Sequence, residues 1–252
     1  MIIPALSFRL RHLAATVSTN DDALAAAEAG EAEGLVITAR TQTGGRGRRG
    51  RSWASPEGNL YASLLLRPTN AVLAGQYGFV AALAIADALA QFVGRERIRV
   101  KWPNDVLVDG AKIAGILLET SAQRGGLALV VGMGVNLAVH PAIRSDPVRL
   151  PATSLRALGF DAARLKPEEF LPLILDAFNA YHRQLLQDGF PALREAWLAQ
   201  AVNLGEIISV RLPDEELQGR FLTIDDQGCL LLQQQAGMVR RIAAGDVFPV
   251  RR

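Results

Sequence analysis

Up to about residue 202 the chain is a series of apolar runs broken by glycine and proline; beyond it the runs become short and strand-like. Residues 35–40 read as a short β-branched strand and 60–66 as a buried one. Residues 75–93 are apolar on most faces and predict a long helix ended by Gly94. Apolar and basic side chains alternate over 98–102, as in a half-buried strand, until Pro103 stops the ladder and Asn104-Asp105 turns the chain. Residues 106–108, the pair Asp109-Gly110 and residues 113–118 form a hairpin signal, with Lys112 at the start of the return strand. Residues 127–131 predict another buried strand that ends in Gly132-Met133-Gly134-Val135-Asn136. Glycines at a strand end fit either the close approach of a ligand or a bulge, with Asn136 then only a turn residue. Helical spacing runs from Lys166-Pro167-Glu168-Glu169 to about residue 186 and again over 191–201, placing Phe178, Tyr181, Leu185 and Trp197 in a core. Five short runs, 206–212, 219–224, 229–233, 238–243 and 247–250, then predict a small barrel as a second domain.

Near the start, Ser18-Thr19-Asn20-Asp21-Asp22 precedes an Ala-rich segment that stops at Gly30. That is how a helix begins with a hydroxyl cap and an acidic first turn, and capping is the plain structural reading of Ser18 and Thr19.

Half of the 252 residues are hydrophobic, enough for a large core plus a small domain. A formal net charge of +2 makes the basic character local and argues against a general polyanion-binding surface. The single cysteine, Cys229, allows no internal disulfide and the N-terminus has no leader pattern, so a reducing cytoplasm is expected. No stretch is read as a membrane span, since Asp87 interrupts the Ala-rich run at 80–90. His12, His140 and His182 show no metal-ligand spacing, and no nucleophile–base pair is legible.

The local basic character is concentrated at 44–51, where four arginines and four glycines fill eight residues after a strand end. Glycines let the backbone approach a ligand, while guanidinium forks match carboxylate and phosphate. The Walker pattern is absent, and the Gly-x-Gly-x-x-Gly spacing, met at 45–50, makes no convincing dinucleotide fingerprint. Taken alone, the stretch also fits a nucleic-acid-binding segment, although only Trp53 is near to stack on bases. With no apolar anchors, the loop is expected to be mobile until an anion orders it.

Taken together, Ser18-Thr19-Asn20, the 42–53 stretch, Lys101-Trp102-Pro103-Asn104-Asp105, Lys112-Ile113-Ala114-Gly115-Ile116-Leu117 and Gly132-Met133-Gly134-Val135-Asn136 resemble the ordered motif set of the biotin–protein ligases. The resemblance implies an α+β fold of the class II synthetase type: a mixed sheet backed by helices over 1–202, then an SH3-like β-barrel over 203–252. It implies that biotin and ATP give biotinyl-5′-AMP, from which a lysine of a biotin carboxyl carrier protein takes the biotinyl group. Ser18, Thr19, Asn20, Gln42, Gly45, Arg46, Lys101 and Gly115 match biotin-side positions. Arg46, Arg48, Arg49, Arg51, Trp53, Asn104, Lys112 and Asn136 match the nucleotide side, with Lys101 and Arg48 as the catalytic cations. Mg²⁺ would be carried by phosphate oxygens and water, with no protein metal site. Only 17 residues precede Ser18, too few for the helix-turn-helix domain of some relatives, so no DNA binding is expected. A monomer or weak homodimer without a membrane partner completes the expectation. A lipoate ligase or octanoyltransferase shares the fold and is the nearest alternative, though it lacks the Arg/Gly loop.

Overall fold

The computed structural model describes residues 5–123, 125–142, 150–160 and 166–249. Seven strands form one mixed sheet: β1 (Arg9–Thr16), β2 (Leu35–Gln42), β3 (Leu60–Leu66), β4 (Ile98–Lys101), β5 (Asp105–Val108), β6 (Ala111–Gln123) and β7 (Gly126–Val135). Their order across the sheet is β1-β2-β3-β7-β6-β5-β4, antiparallel throughout except for the parallel pair β1 and β2. All seven residues of β3 are buried because both of its faces are covered, which is why it reads as an unbroken apolar run. Asp109 and Gly110 both take positive φ between β5 and β6, as a tight two-residue hairpin turn requires.

On one face lies α1 (Thr19–Glu28), with Ala23, Ala26 and Ala27 packed on Leu35, Ile37, Leu65, Ala128 and Val130. The other face carries α2 (Ala71–Ala90), backed by α3 (Pro167–Asp188) and α4 (Phe190–Leu198). Asn70 caps α2 by accepting from Leu73 N at 2.9 Å, so the helix starts before the expected residue 75. By length and composition α2 does suffice to cross a bilayer, contrary to the sequence reading, because one Asp does not offset so many apolar residues; 78% of its most apolar window is buried inside the protein, and it is the central core helix. Phe178 and Trp197 are fully buried as expected, and Phe79 meets Phe190 and Trp197 edge-on.

The C-terminal strands β8 (Ile207–Arg211), β9 (Glu216–Ile224), β10 (Leu230–Gln233), β11 (Val239–Ile242) and β12 (Asp246–Pro249) form a separate antiparallel sheet in the order β11-β10-β9-β8-β12. Its inner side chains, including Val210, Phe221 and Leu230, join the same apolar core as α2 and α4. The turn at Asp225–Gly228 is the joint: Trp102 Nε1 donates to Gly228 O at 3.0 Å, Gln76 Nε2 to Asp226 O at 2.9 Å, and Phe79 lies against Gly228.

Candidate active site

The residues of β7 that face α1 set the floor of a cleft. Ala128 and Val130 pack under the helix, and the same row continues as Gly132 and Gly134. Ser63 and Leu117 stand opposite Gly132, and Tyr61 and Gly115 opposite Gly134. Asn20 and Trp53 lie directly over these glycines, and a cleft of about 870 Å³ opens around them, the size of a small-molecule site. The glycines lie in the last residues of the strand, which is longer than the 127–131 the sequence suggested. β7 runs on to Val135 in unbroken register with β6, and neither glycine sits in a bulge.

At one end of the cleft is a polar hydrogen-bonding network. Gln42 Oε1 accepts from Thr19 N at 2.9 Å and from Thr19 Oγ1 at 3.1 Å, while Gln42 Nε2 donates to Ser55 Oγ at 2.9 Å. Gln42 thus satisfies an amide at the N-terminus of α1, and the Ser18 side chain makes no capping bond, which corrects the capping reading. Ser18, Thr19 and Asn20 are all buried and line the cleft. Ser63 Oγ lies 2.7 Å from Thr19 Oγ1 and 2.5 Å from Asn20 Oδ1, and Asn20 Nδ2 donates to Glu119 Oε2 at 2.6 Å. The backbone of Asn20 is held by the helix, so its side chain is fixed at both ends.

At the other end the cleft is strongly positive: among the described residues its lining there includes Arg48, Arg51, Lys101, Lys112 and Arg211 against Asp105 and Asp246. Lys101 stands at the end of β4, only 9% exposed, 3.9 Å from Asp105 Oδ2 and 5.7 Å from the Phe248 ring centroid. Burial pulls its ammonium below the ordinary lysine value, with Asp105 opposing the shift. Lys112 Nζ approaches Asp105 Oδ1 at 2.5 Å and sits 5.2 Å over the Trp53 ring. Asn104 Nδ2 donates to Ile116 O at 2.7 Å, and Asn136 Nδ2 to Thr153 O at 3.1 Å, so both cleft residues are anchored by backbone carbonyls.

The Arg/Gly loop is more tied down than its composition suggested. Gly47 N donates to Arg51 O, and Trp53 N to Gly45 O, so the segment closes as a small hydrogen-bonded turn. Arg46 reaches Asp21 through both terminal nitrogens, at 2.5 and 2.7 Å, and Glu119 at 3.3 Å. That guanidinium holds the Asp21 carboxyl below the usual range. Arg48 donates to Gly245 O at 3.2 Å, and burial lowers its own pKa. Arg49 reaches Arg211 O and Asp246, and Arg51 pairs with Asp246. The anchors missing from an apolar pattern are thus ionic and come from the opposite ends of the chain. Of the predicted site residues only Gly45 and Arg49 do not line the cleft; Gly45 has its Cα side closed by Trp53 O and Ser55.

Sequence reasoning missed Tyr61, Arg211, Asp246 and Phe248 as cleft residues, and it gave Asp105 no role. Asp105 was within reach, two residues after Pro103 in a recognised motif. Nothing in the local sequence marks a small-domain aspartate as a partner of arginines almost 200 positions earlier.

The chain also resembles known proteins. Residues 14–136 match the model of the biotin/lipoate A/B protein ligase family, and residues 204–248 match the biotin protein ligase C-terminal domain. The chain is 46% identical over 240 residues to the biotin–[acetyl-CoA-carboxylase] ligase of Paracoccus denitrificans, covering 94% of this chain and 98% of that one. The chain belongs to the biotin–protein ligase family. It is also 32% identical over 218 residues to the bifunctional ligase/repressor BirA of Bacillus subtilis, a match that takes in 85% of this chain and 66% of that protein. Among solved structures, the biotin protein ligase of Aquifex aeolicus in complex with biotin and ATP superposes with a TM-score of 0.78 at 27% identity, covering 95% of this chain and 97% of that chain.

Proposed function

We propose that this enzyme activates biotin with ATP and transfers it to a lysine of a biotin carboxyl carrier protein in the cytoplasm. The observation that carries the reading is one cleft lined at one end by a hydrogen-bonding network and at the other by cations that include the buried Lys101. In the first step a biotin carboxylate oxygen attacks the α-phosphorus of ATP, the bond to the bridging oxygen breaks, and pyrophosphate leaves. In the second, the carrier lysine amine attacks the biotinyl carbonyl, loses a proton, forms the amide and expels AMP.

Ser18, Thr19, Asn20 and Gln42 offer the fixed donors and acceptors that a ureido group needs, with Gly115 and Arg46 beside them. Lys101 and Arg48 neutralise the approaching carboxylate and the charge that gathers on the α-phosphate, where preorganised cations act most strongly. Lys112, Arg49 and Arg51 extend the positive field along the polyphosphate, and Trp53, Asn104 and Asn136 wall the nucleotide side. Asp105 and Asp246 face cations, and among the described residues no group of three or more His, Cys, Asp or Glu could hold a metal. Mg²⁺ would enter as the counter-ion that ATP brings on its phosphate oxygens and water. We also place the boundary between the ligase and C-terminal domains at 202/203.

The test is mass spectrometry of a purified carrier domain after incubation with this protein, ATP and either biotin or lipoate. One added biotinyl group, absent in the lipoate arm, is the expected result. Lipoylation, or no modification, overturns the proposal.

A further inference from the structure

Three glycines form the cleft floor, and none of them needs to be glycine for its backbone. Gly115, Gly132 and Gly134 lie within regular strands and none takes a positive φ. Alanine in such a strand would, on conformational grounds alone, be neutral or favourable. The constraint comes from what lies on top. A Cβ on Gly132 would sit 2.4 Å from Asn20 Oδ1 and 2.9 Å from its Nδ2, whereas one on Gly134 would sit 2.7 Å from Cε2 and Nε1 of Trp53.

The two neighbours belong to different parts of the cleft. Asn20 comes from α1 and is pinned by Ser63 and Glu119, so it cannot retreat from a methyl group without breaking those bonds. Trp53 comes from the end of the Arg/Gly loop and lies across Gly115 and Gly134, which pair directly across β6 and β7. Its Nε1–H is buried with no acceptor among the described residues, so shape and the cation above it hold the ring, with no hydrogen bond to restore its position.

We infer that Gly132 and Gly134 are two independent positioning residues. Gly132 seats Asn20 and sets the fit of the cyclic-urea acid; Gly134 seats Trp53 and sets the fit of the nucleotide. The substrate assignment rests on the function proposed above, while the seating itself does not. Two residues apart on one strand face, they let the two substrate sites be tuned separately by single methyl groups.

Two measurements on the full-length protein test this. The first needs no substrate: acrylamide quenching of tryptophan fluorescence. Trp102 and Trp197 are 2% and 1% exposed, so quenching reports mainly on the half-buried Trp53. Gly134→Ala is expected to raise the quenching constant about twofold, as an overpacked ring is pushed into solvent, and Gly132→Ala to leave it unchanged. The second measurement is pyrophosphate release. Gly132→Ala is expected to raise the KM for biotin about tenfold or more with that for ATP nearly constant, and Gly134→Ala to do the reverse. If the clash is the cause, Gly134→Ala adds no further loss in a Trp53→Leu background, and Gly132→Ala adds none in Asn20→Ala. Unchanged quenching in Gly134→Ala, or a parallel rise of both KM values in either variant, overturns the inference. A wild-type protein that forms no biotinyl-adenylate would count against the proposed function alone and leave the quenching result to decide the seats.

Discussion

Replacing Lys101 with methionine asks how much of the proposed adenylation barrier one buried cation removes. Methionine is one atom shorter but fills most of the same space, so a large change in rate reports chiefly on the lost charge. A unit charge about 4 Å from a developing anion is worth about 4 kcal/mol at an effective dielectric of 20, and losing one preorganised donor at such a site costs about 3 to 4 kcal/mol. Lys112 and Arg48 remain in the cleft and take over part of that load. The expected loss is therefore about 2 to 4 kcal/mol, or about 30- to 1,000-fold in the rate of adenylate formation. Folding is expected to hold or improve, because the lysine carries its charge against a desolvation penalty and Asp105 keeps Lys112 at 2.5 Å as a partner. Biotin-dependent exchange of pyrophosphate into ATP reads the rate, and a thermal melt reads the fold. Exchange within about threefold of wild type in a folded variant, below even the smallest single-donor effect, would remove Lys101 from the chemistry. The lowered pKa adds a second signature. The protonated form is lost as pH rises through a value below the ordinary 10.5, so activity is expected to fall on the alkaline side, and Lys101→Arg should move that limb upward.

Arg48→Gly is expected to make adenylate but release it early, so that albumin added to the reaction becomes biotinylated; a bystander as clean as with wild type refutes the latch. His182 shares a buried 2.9 Å hydrogen bond with Tyr77, and burial holds its pKa below 6.5. The unfolded chain therefore binds the proton first, and stability, whole above about pH 6.5, is lost as pH falls below it; urea melts at pH 7.5 and 5.5 should show a drop that His182→Asn reduces. Gly228→Ala puts a methyl 2.6 Å from Phe79 at a φ of +79°, and a loss of about 2 to 4 kcal/mol in denaturant unfolding is expected from strain and overpacking together.

The large apolar elements were legible because burial on two faces writes itself as uninterrupted hydrophobicity: β3 and α2 are examples. β1 escaped notice for the opposite reason. As an edge strand beside β2 it is mostly exposed, and its sequence, Arg-Leu-Arg-His-Leu-Ala-Ala-Thr, offers no clean alternation. Each motif of the resemblance was readable as residue types in order, yet what each does locally often depended on a distant partner. Ser18 looks like a cap, but Gln42, from the next strand, supplies the bond. The arginines of the loop look unanchored until Asp21, Glu119 and Asp246 are brought to them. Such pairings are set by strand register and domain docking, and neither leaves a trace in the local pattern.

Trp102, whose indole N–H donates to the carbonyl of Gly228 in the C-terminal domain, is the residue next to Lys101. That adjacency bears on any attempt to divide the enzyme into fragments for a complementation reporter. A cut near residue 203 would uncover Phe79 and Trp102 on the larger piece and strip Asp246 from the loop arginines, so that piece is expected to aggregate rather than wait as a dormant catalyst. A usable cut has to fall within an exposed hairpin of one sheet, leaving the joint at Asp225–Gly228 and everything it supports on the same fragment.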